Sequence, residues 1–583
     1  MRHWQFVLPV TMVAVVLASC AGPTASGSRP GEGSASRPQQ EAGSPGKTLV
    51  VATRAEPPSL SPKPFRSLGL TSDLSGRMFN AGLVIRNDDG DPQPYLAQSV
   101  PQVNSDAWRV NPDGTMQTTY KLKPNLTWHD GQPLTADDFV FAFEVFSNPT
   151  FGVAGSPPVN FMAGVTAPSP DTIVVDWNRT FPYANELEAG SGGTGNNAFP
   201  PLPRHILGQP FQSTDPDAFM ASTFWTTDYV GAGPYKLDRW ETGAFLEGAA
   251  FDGHVLGKAK IPRIRELFIG DPNTVIANML SGEAQLTAGD SIRFNDGEVL
   301  ETQWGDRGTV IDAPNLYRMV QFQRRPEFAS TMAFTDLRVR QALHYGVDFD
   351  SLNEAVQGGK TTAAIGPIPP TATYYRQLDQ AVMHYPYDPS KVAQLMSAAG
   401  FIKGSDGVWN SPDPAFGRMS FETNVLASPD SDNEMHIMAD TWRKLGFDVK
   451  EVDWPPSQGR DREFRNAFPG LSTTSTPPGE NALTEYRSDR IPTAANRWNG
   501  TNRGAWAGTP AYDRLVDTWE TSLVKDERTQ AVIQMNRILN DDCVVINLYW
   551  KLAAQAFARG VTGPRITSLD GSADWNIHEW EYR

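Results

Sequence analysis

Cysteine is scarce in this chain of 583 residues, which contains only Cys20 and Cys543. A single disulfide between them is one alternative, but one specialised cysteine and one free cysteine fit a large protein better. Cys543 lies in the apolar run DDCVVINLYW, so we expect it to be a small buried hydrophobic side chain.

Excess basic charge is also missing. The 50 lysine and arginine residues are outnumbered by 66 aspartate and glutamate residues, the net charge is −16, and no block of basic residues occurs. Nucleic-acid-binding proteins present a basic face, so this composition disfavours nucleic acid as a partner. An acidic total is ordinary and by itself names no partner.

Long hydrophobic runs are absent as well. The apolar stretch from Phe6 to Ala18 follows a short basic start and, at about thirteen residues, is too short to span a bilayer. These features are typical of a secretory signal, which we assign to residues 1–19. No later run is long enough to span a bilayer, so we expect the remainder of the chain to be soluble.

The cysteine that follows this signal has a special position. Leu17-Ala18-Ser19-Cys20 resembles the bacterial lipoprotein box, in which small residues precede the cut and the cysteine carries the lipid. An ordinary signal peptide with an incidental cysteine is the alternative. Residues 20–47 are nearly free of large apolar residues and are predicted to be a flexible tether. We therefore expect an extracytoplasmic protein, lipid-anchored to the cell membrane at the cell surface or in the periplasm.

No arrangement of residues indicates catalysis or metal binding. His129 and Asp130 resemble an acid–base pair, but the following glycine makes a tight turn the better interpretation. Residues 359–361 match the end of a phosphate-binding loop, yet Glu354 stands where its first glycine belongs. The eight histidines show no paired metal spacing, and no nucleophile motif follows a strand. We expect no enzymatic activity, no cofactor and no metal.

The local patterns predict mixed α/β structure. Thr135 with Asp138 forms a capping box before a helix whose phenylalanines at 139, 143 and 146 form a buried stripe. Residues 117–123 alternate like an edge strand. Further helices are predicted after Asp336 and Asp388, and further strands at 48–53, 317–323 and 544–549.

Five segments together resemble a known family, the peptide/nickel family (family 5) of bacterial extracellular solute-binding proteins, which are the receptors of ABC importers. Their order and spacing span nearly all of residues 48–580. The segments are WHDG…LTADDF from Trp128, GAGPYK from Gly231, DLRVRQALHY from Asp336, DP…AAGF from Asp388, and PRHI from Pro203.

The resemblance implies a type II periplasmic-binding-protein fold, with two α/β lobes, a hinge, a cleft and an extra inserted domain. By the family pattern, the chain crosses between the lobes near Asn315–Gln321 and Val545–Lys551. The implied division is lobe I at 48–72, 185–312 and 553–583, the inserted domain II at 73–184, and lobe II at 313–552.

The resemblance also implies a mechanism of binding, closure and delivery. A small solute, with peptides as the leading class, binds between two closing lobes and passes unaltered to an ABC permease complex in the membrane. We expect a monomer. The alternatives are a receptor for an opine, an oligosaccharide or a metal chelate, and an exported enzyme on a related scaffold.

Seven residues are candidate solute contacts. Peptide-binding relatives pair an acid of the second lobe with the ligand's amino terminus, but here the matching segment reads STTSTPPGEN and Glu480 is its only acid. This departure leaves open whether Glu480 serves as a shifted anchor or the solute lacks a free amine. The other candidates are Glu56 at a position where relatives contact ligand, Pro57, Tyr317, Arg487 as a carboxylate partner, and the loop residues Trp498 and Trp506. Packing of the two tryptophans against their own lobe is the alternative.

Overall fold

The computed structural model describes residues 48–62, 73–151, 156–190, 197–566 and 573–583. The predicted signal peptide, Cys20 and the predicted tether 20–47 lie outside the described residues. Within the described ranges, no helix has both the length and the apolar character that a membrane crossing requires.

Helices and strands alternate along the described chain. The strands are β1 (Thr48–Thr53), β2 (Val84–Arg86), β3 (Pro92–Pro94), β4 (Trp108–Val110), β5 (Met116–Lys121), β6 (Met162–Ser169), β7 (Thr172–Trp177), β8 (Tyr235–Glu241), β9 (Phe245–Ala250), β10 (Arg263–Phe268), β11 (Leu286–Thr287), β12 (Ile292–Arg293), β13 (Gly308–Phe322), β14 (Ile402–Lys403), β15 (Trp409–Asn410), β16 (Ser420–Leu426), β17 (Asp448–Trp454), β18 (Leu471–Thr476), β19 (Val545–Ala558), β20 (Val561–Thr562) and β21 (Glu581–Tyr582). The α-helices are α1 (Asp73–Phe79), α2 (Ala136–Phe146), α3 (Arg204–Ser213), α4 (Pro216–Met220), α5 (Pro272–Ser281), α6 (Phe294–Trp304), α7 (Leu337–Tyr345), α8 (Phe349–Gln357), α9 (Tyr375–Ala381), α10 (Pro389–Ala398), α11 (Pro429–Leu445), α12 (Arg462–Asn466), α13 (Pro510–Thr521) and α14 (Lys525–Asp541).

One large sheet joins two parts of the protein. Its strand order is β17-β16-β18-β13-β19-β11-β1-β10-β9-β8, with β12 also paired to β19. The long antiparallel strands β13 and β19 are common to both parts. We call the described residues before β13 and after β19 the first lobe, and those between these two strands the second lobe.

The predicted crossings near 315–321 and 545–551 lie on β13 and β19. Their pairing shifts register between Pro314 and Leu316 and again between Tyr317 and Met319. Such irregularities bend a strand and increase its twist, so the connection between the lobes is bent within the predicted crossing.

A second sheet, with order β4-β5-β7-β6, carries α2 on one side and shares a buried core with β1 of the first lobe. The expectation that residues 117–123 form an edge strand is wrong, because β5 pairs with β4 on one side and β7 on the other. Alternation of polar and apolar residues shows only that one face of a strand meets solvent. It does not show whether a strand has one neighbour or two, because strands pair through their backbone groups.

The predicted helix starts are confirmed. The backbone N–H of Thr135 donates to the Asp138 carboxylate at 2.9 Å, and the Asp388 carboxylate accepts from the N–H of Lys391 at 2.9 Å. Asp336 caps α7 in the same way. Phe139 and Phe146 are fully buried, with Phe143 packed against them at the edge of the core.

The predicted tight turn at His129 is also confirmed, because Gly131 adopts φ +85° and Asp130 accepts from the backbone N–H of Gln132 at 3.0 Å. Burial lowers the pKa of His129 to about 4, so this side chain is a neutral core residue. Cys543 is completely buried and free, as expected, and burial raises the pKa of its thiol to about 12.

Candidate functional site

Glu480 lies where the second lobe meets the first. It begins a 3-10 helix, Glu480–Tyr486, just after β18. One carboxylate oxygen accepts a hydrogen bond from the Tyr374 hydroxyl at 2.6 Å, and the other accepts from the indole N–H of Trp519 at 2.6 Å. The hydroxyl of Tyr183, from the first lobe, lies 3.5 Å from the second oxygen. A single carboxylate therefore brings together side chains of both lobes.

The local sequence explains how Glu480 reaches this position. Pro477 and Pro478 follow β18 and cannot extend its hydrogen-bonded ladder. Gly479 then adopts φ +119°, which a residue with a Cβ rarely takes, and its N–H donates to the Pro367 carbonyl at 2.8 Å. The chain thus turns sharply at the end of the strand and presents the next side chain toward the first lobe.

Aromatic rings surround this carboxylate. The Tyr183 and Trp519 ring centroids are 6.0 Å apart, and the Arg528 guanidinium lies 5.7 Å from the Tyr183 ring. Burial, and next the charge of Glu480, raises the pKa of both Tyr183 and Tyr374, so both phenols remain protonated donors. A carboxylate has about four acceptor positions, so Glu480 has room for one further donor, such as an ammonium group.

Charged groups flank the aromatic centre. Arg179 of the first lobe pairs with Glu520 of the second at 3.2 Å. Glu186, three residues beyond Tyr183, accepts a hydrogen bond from the Asn197 amide at 3.2 Å. Burial raises the pKa of Glu186 to about 7, although the positive charge of Arg86 acts to lower it. The boundary between the lobes is therefore polar at this point, as expected for surfaces that also meet water.

Glu56 and Pro57 lie in the first lobe beside the hairpin of β8 and β9. The Glu56 carboxylate accepts from the Trp240 indole N–H at 2.5 Å and from the Gly243 backbone N–H at 3.1 Å. Pro57 is buried. These bonds hold Glu56 in one orientation while leaving its side chain partly exposed.

Tyr317 on β13 and Trp506 in the second lobe belong to one buried cluster. They are 1% and 5% exposed, respectively. The Tyr317 hydroxyl donates to Asn547, and the Trp506 indole N–H donates to Asp542 at 2.6 Å. Both side chains have their polar groups satisfied by these partners.

Trp498 and Arg487 lie nearer the surface of the second lobe. Trp498 is half-buried, with its ring 5.9 Å from that of Phe328. Arg487 pairs with Asp517 at 2.7 Å and Asp489 at 3.3 Å, so its guanidinium is held by two acids of its own lobe.

The structure thus gathers one predicted residue, Glu480, with three aromatic residues that the sequence did not single out, Tyr183, Tyr374 and Trp519. Their positions in separate helices and loops follow no spacing pattern. Among the described residues, no group of three or more histidine, cysteine, aspartate or glutamate side chains is arranged to hold a metal ion.

Comparison with known proteins identifies the family. Residues 92–491 match the family model described as bacterial extracellular solute-binding proteins, family 5 Middle. A Brucella ovis relative named as an ABC transporter peptide-binding protein is 26% identical over 317 residues, which is 52% of this chain and 54% of the relative. The chain thus spans about half the length of that relative.

Longer matches exist to two other proteins. The oligopeptide-binding protein AppA of Bacillus subtilis is 27% identical over 77% of this chain and 76% of its own length. The dipeptide-binding protein of Escherichia coli is 23% identical over 90% of this chain and 93% of its own length.

Solved structures share the fold. NikZ from Campylobacter jejuni, in complex with Ni(L-His), gives a TM-score of 0.70 at 22% identity, covering 92% of this chain and 99% of that chain. AppA from Bacillus subtilis, in complex with a nonapeptide, gives 0.68 at 19% identity, with coverage of 92% and 99%. The predicted type II periplasmic-binding-protein fold is confirmed. The chain belongs to family 5 of the bacterial extracellular solute-binding proteins.

Proposed function

We propose that this protein is the membrane-tethered, extracytoplasmic receptor of an ABC importer, that it binds peptides between its two lobes, and that it delivers them unaltered to a permease. Membership of family 5 supports the receptor role. The names of the AppA and dipeptide-binding relatives support peptides as the solute class.

The observation that carries the proposal is the position of Glu480 between the lobes. Its carboxylate is held by Tyr374 and Trp519 of the second lobe and lies 3.5 Å from the Tyr183 hydroxyl of the first. A solute at this boundary touches both lobes only when they are together, so it favours the closed arrangement. We propose Glu480 as the group that receives the amino terminus of the peptide.

Glu56 is the proposed contact on the opposite side of the cleft. The hydrogen bonds from Trp240 and Gly243 fix the orientation of the Glu56 carboxylate before the solute binds. The side chain therefore loses little conformational freedom on binding. The chemistry needed is reversible binding alone, and no bond of the solute is made or broken.

Membrane attachment through Cys20 is part of the same proposal. A tether of this composition allows the folded lobes to move along the membrane surface and to reach a permease. The acidic net charge disfavours nucleic acid as a partner. We propose a monomer, since one chain contains both lobes of the cleft.

Native mass spectrometry of the protein purified from its own host tests the proposal. A ladder of co-purifying peptide masses is the expected result. A single non-peptide mass contradicts peptide binding and favours another solute class, whereas turnover of an added substrate contradicts the receptor role. Small-angle scattering with and without the recovered solute then measures closure, with a smaller radius of gyration expected on binding.

A further inference from the structure

Arg465 on α12 and Arg503 in the loop before α13 are two arginines of the second lobe whose hydrogen-bond acceptors in the described part of the chain are neutral. Neither forms an ion pair within 4.0 Å of any described carboxylate. Arg503 donates to the Thr474 hydroxyl at 3.4 Å, and Arg465 donates to the Gly459 carbonyl at 3.1 Å. A guanidinium has five N–H donors, so most of the donors in this pair have no protein acceptor in the described part of the chain.

The two arginines are close together, because the Arg325 guanidinium donates hydrogen bonds both to the carbonyl of Asn466, which follows Arg465, and to the carbonyl of Arg503. Both side chains are half-buried. Burial, and next the charge of Arg465, lowers the pKa of Arg503 to about 10. Two nearby positive charges without a counter-ion destabilise each other, and a bound anion relieves this repulsion.

Glu485 is the acidic group whose charge acts on Arg503 from within the lobe. Its carboxylate accepts from the Thr476 hydroxyl at 2.7 Å and forms no described ion pair. Burial raises the pKa of Glu485, which weakens it as a counter-ion. The excess charge at this place therefore stays positive.

Thr474, which accepts from Arg503, belongs to a row of polar side chains on one face of the sheet, which we call the floor. Ser472 and Thr474 are two residues apart on β18 and so point to the same side of the sheet. Ser472 is paired with Asn424 of β16 and with Gln321 of β13, which places both amides on that side.

Two of these floor residues have unmet hydrogen-bonding capacity. Asn424 is completely buried, and neither its amide nitrogen nor its amide oxygen has a partner among the described residues. Gln321 is 4% exposed, and its side-chain oxygen likewise has no described partner. Buried polar groups without partners are costly, and native proteins seldom keep them without a ligand or an ordered water.

The floor and the arginines lie at one edge of the fold. The strands β16, β17 and β18 are parallel, and Thr474 is near the carboxyl end of β18. Ligands of open α/β sheets bind outside the carboxyl ends of the strands. The same strand end leads through Gly479 to Glu480, so the arginines and the inter-lobe carboxylate belong to one side of the second lobe.

We propose that Arg503 and Arg465, with Thr474 beside Arg503, form an anion-binding subsite that takes a carboxylate of the solute. The inference rests on the proposed receptor function and names the chemistry of one end of its solute. The segment STTSTPPGEN has Thr474 beside Arg503 and Glu480 as its only acid. Its β18 part therefore favours a negatively charged group, whereas Glu480 at its other end favours a positively charged one.

Guanidinium groups recognise carboxylates through paired, charge-assisted hydrogen bonds. A solute that has both an ammonium and a carboxylate would use Glu480 and the arginine pair together. A peptide has both groups at its ends, and an acidic side chain is a second source of the carboxylate.

Titration calorimetry with a defined panel of two- to five-residue peptides tests the subsite. Each peptide is supplied as the free acid, as the C-terminal amide, and as an amide with one glutamate side chain. The wild-type protein is expected to bind the free acids at least tenfold more tightly than the plain amides. The affinity of the glutamate-containing amide shows whether a side-chain carboxylate can replace the C-terminal one. Tight binding through either carboxylate supports the subsite.

The variants are R503Q, R503K and R465Q, with R462Q as the matched control because Arg462 is an exposed arginine on the same helix as Arg465. R503Q and R465Q are expected to lose the preference for acids over amides, R503K to keep part of it, and R462Q to keep all of it. Circular dichroism and thermal unfolding establish that each variant is folded. If R503Q is folded and keeps the full preference, the subsite is wrong.

A further experiment distinguishes an error in the proposed subsite from an error in the proposed solute class. If no peptide binds in any form, the proposed solute class is wrong, and succinate and inorganic phosphate become the probes in thermal-shift titrations. Stabilisation of the wild type but not of R503Q then supports an anion subsite for a non-peptide solute. Equal response of the two proteins overturns the subsite.

Discussion

Arg179 and Glu520 lie 341 positions apart in the chain and form an ion pair at 3.2 Å across the boundary between the two lobes. Their side chains are 43% and 24% exposed, so solvent weakens the attraction to roughly 0.5 kcal/mol. The pair exists only when the lobes are in contact at this face. It therefore adds a small bias toward the closed arrangement.

Reversing one charge of this pair should oppose closure. R179E is expected to weaken solute affinity about twofold to fivefold, because attraction becomes repulsion. R179E/E520R should restore affinity, measured by calorimetry with the recovered solute. R418E is the matched control, because Arg418 pairs with Asp448 inside the second lobe alone. Equal losses in R179E and the double variant would contradict a role for the pair.

Removing the charge of Glu480 should affect solutes with a free amine. E480Q is expected to bind peptides with a free amino terminus about tenfold more weakly, because a charge-assisted hydrogen bond is lost. Affinity for N-acetylated peptides should stay unchanged, which separates a contact with the amine from a general defect. E463Q, at an exposed glutamate of the same lobe, is the control. A similar loss for both kinds of peptide would show that Glu480 acts only by positioning Trp519 and Tyr374.

Arg318 and Glu434 form a buried ion pair, at 8% and 1% exposure, that ties β13 to α11. Glu434 also accepts from the Tyr549 hydroxyl of β19 at 2.8 Å, and Arg318 donates to the Ser475 hydroxyl at 2.9 Å. E434Q is expected to lower the free energy of unfolding by about 3 kcal/mol, because it leaves the guanidinium buried without a counter-charge.

The double variant R318M/E434L should be less destabilised than E434Q, because it removes both charges together. Urea unfolding monitored by tryptophan fluorescence measures the difference. A double variant as unstable as E434Q would mean that the hydrogen bonds to Ser475 and Tyr549, and not the unpaired charge, dominate the loss.

Glu266 makes stability depend on pH. Burial, with the charge of Asp574 as a lesser cause, raises its pKa to about 8. Between its ordinary pKa and pH 8, the folded state keeps a proton that the unfolded state has lost, so the free energy of unfolding falls as pH rises through this window. E266Q has no such proton to lose.

The expected difference between E266Q and the wild type therefore grows in favour of E266Q by about 2 kcal/mol from pH 6 to pH 8, since each pKa unit is worth about 1.4 kcal/mol and the folded carboxyl group is already half-ionised at pH 8. Urea unfolding at both pH values gives the result. E266D keeps an ionisable carboxyl group at this position and is the matched control. A pH-independent difference would show that Glu266 is already ionised in the folded state at pH 6.

The anchor can be tested apart from the fold. C20A is expected to move the protein from the membrane fraction to the soluble extracytoplasmic fraction without changing its thermal stability, because Cys20 precedes the first strand of the folded lobes. Detergent partitioning and mass spectrometry of the N-terminal peptide measure the lipid. An unlipidated wild-type N-terminus would support the incidental-cysteine alternative.

Local patterns predicted local structure well. The caps at Thr135, Asp336 and Asp388 each begin a helix, since a cap needs only three or four consecutive residues to form its hydrogen bond. The edge assignment of 117–123 was wrong because one of the two neighbours of β5, the strand β7, comes from residues more than 50 positions further along the chain. The predicted division into lobe I, domain II and lobe II stays a prediction.

The candidate site was predictable only in part. Glu480 stood out as the one acid in its segment, but its partners Tyr183, Tyr374 and Trp519 come from three distant places. The loop that contains Trp498 and Trp506 also contains Arg503, and only the folded structure shows that Arg503 forms no ion pair with a described carboxylate.

The amino-acid sequence by itself determined the family, the mixed α/β class and the expected anchor, because caps, turns and signal segments act over a few neighbouring residues. Only the tertiary structure decided which side chains meet across the lobes and which charges are left uncompensated. Both depend on distances between residues hundreds of positions apart, which folding sets and local spacing does not encode.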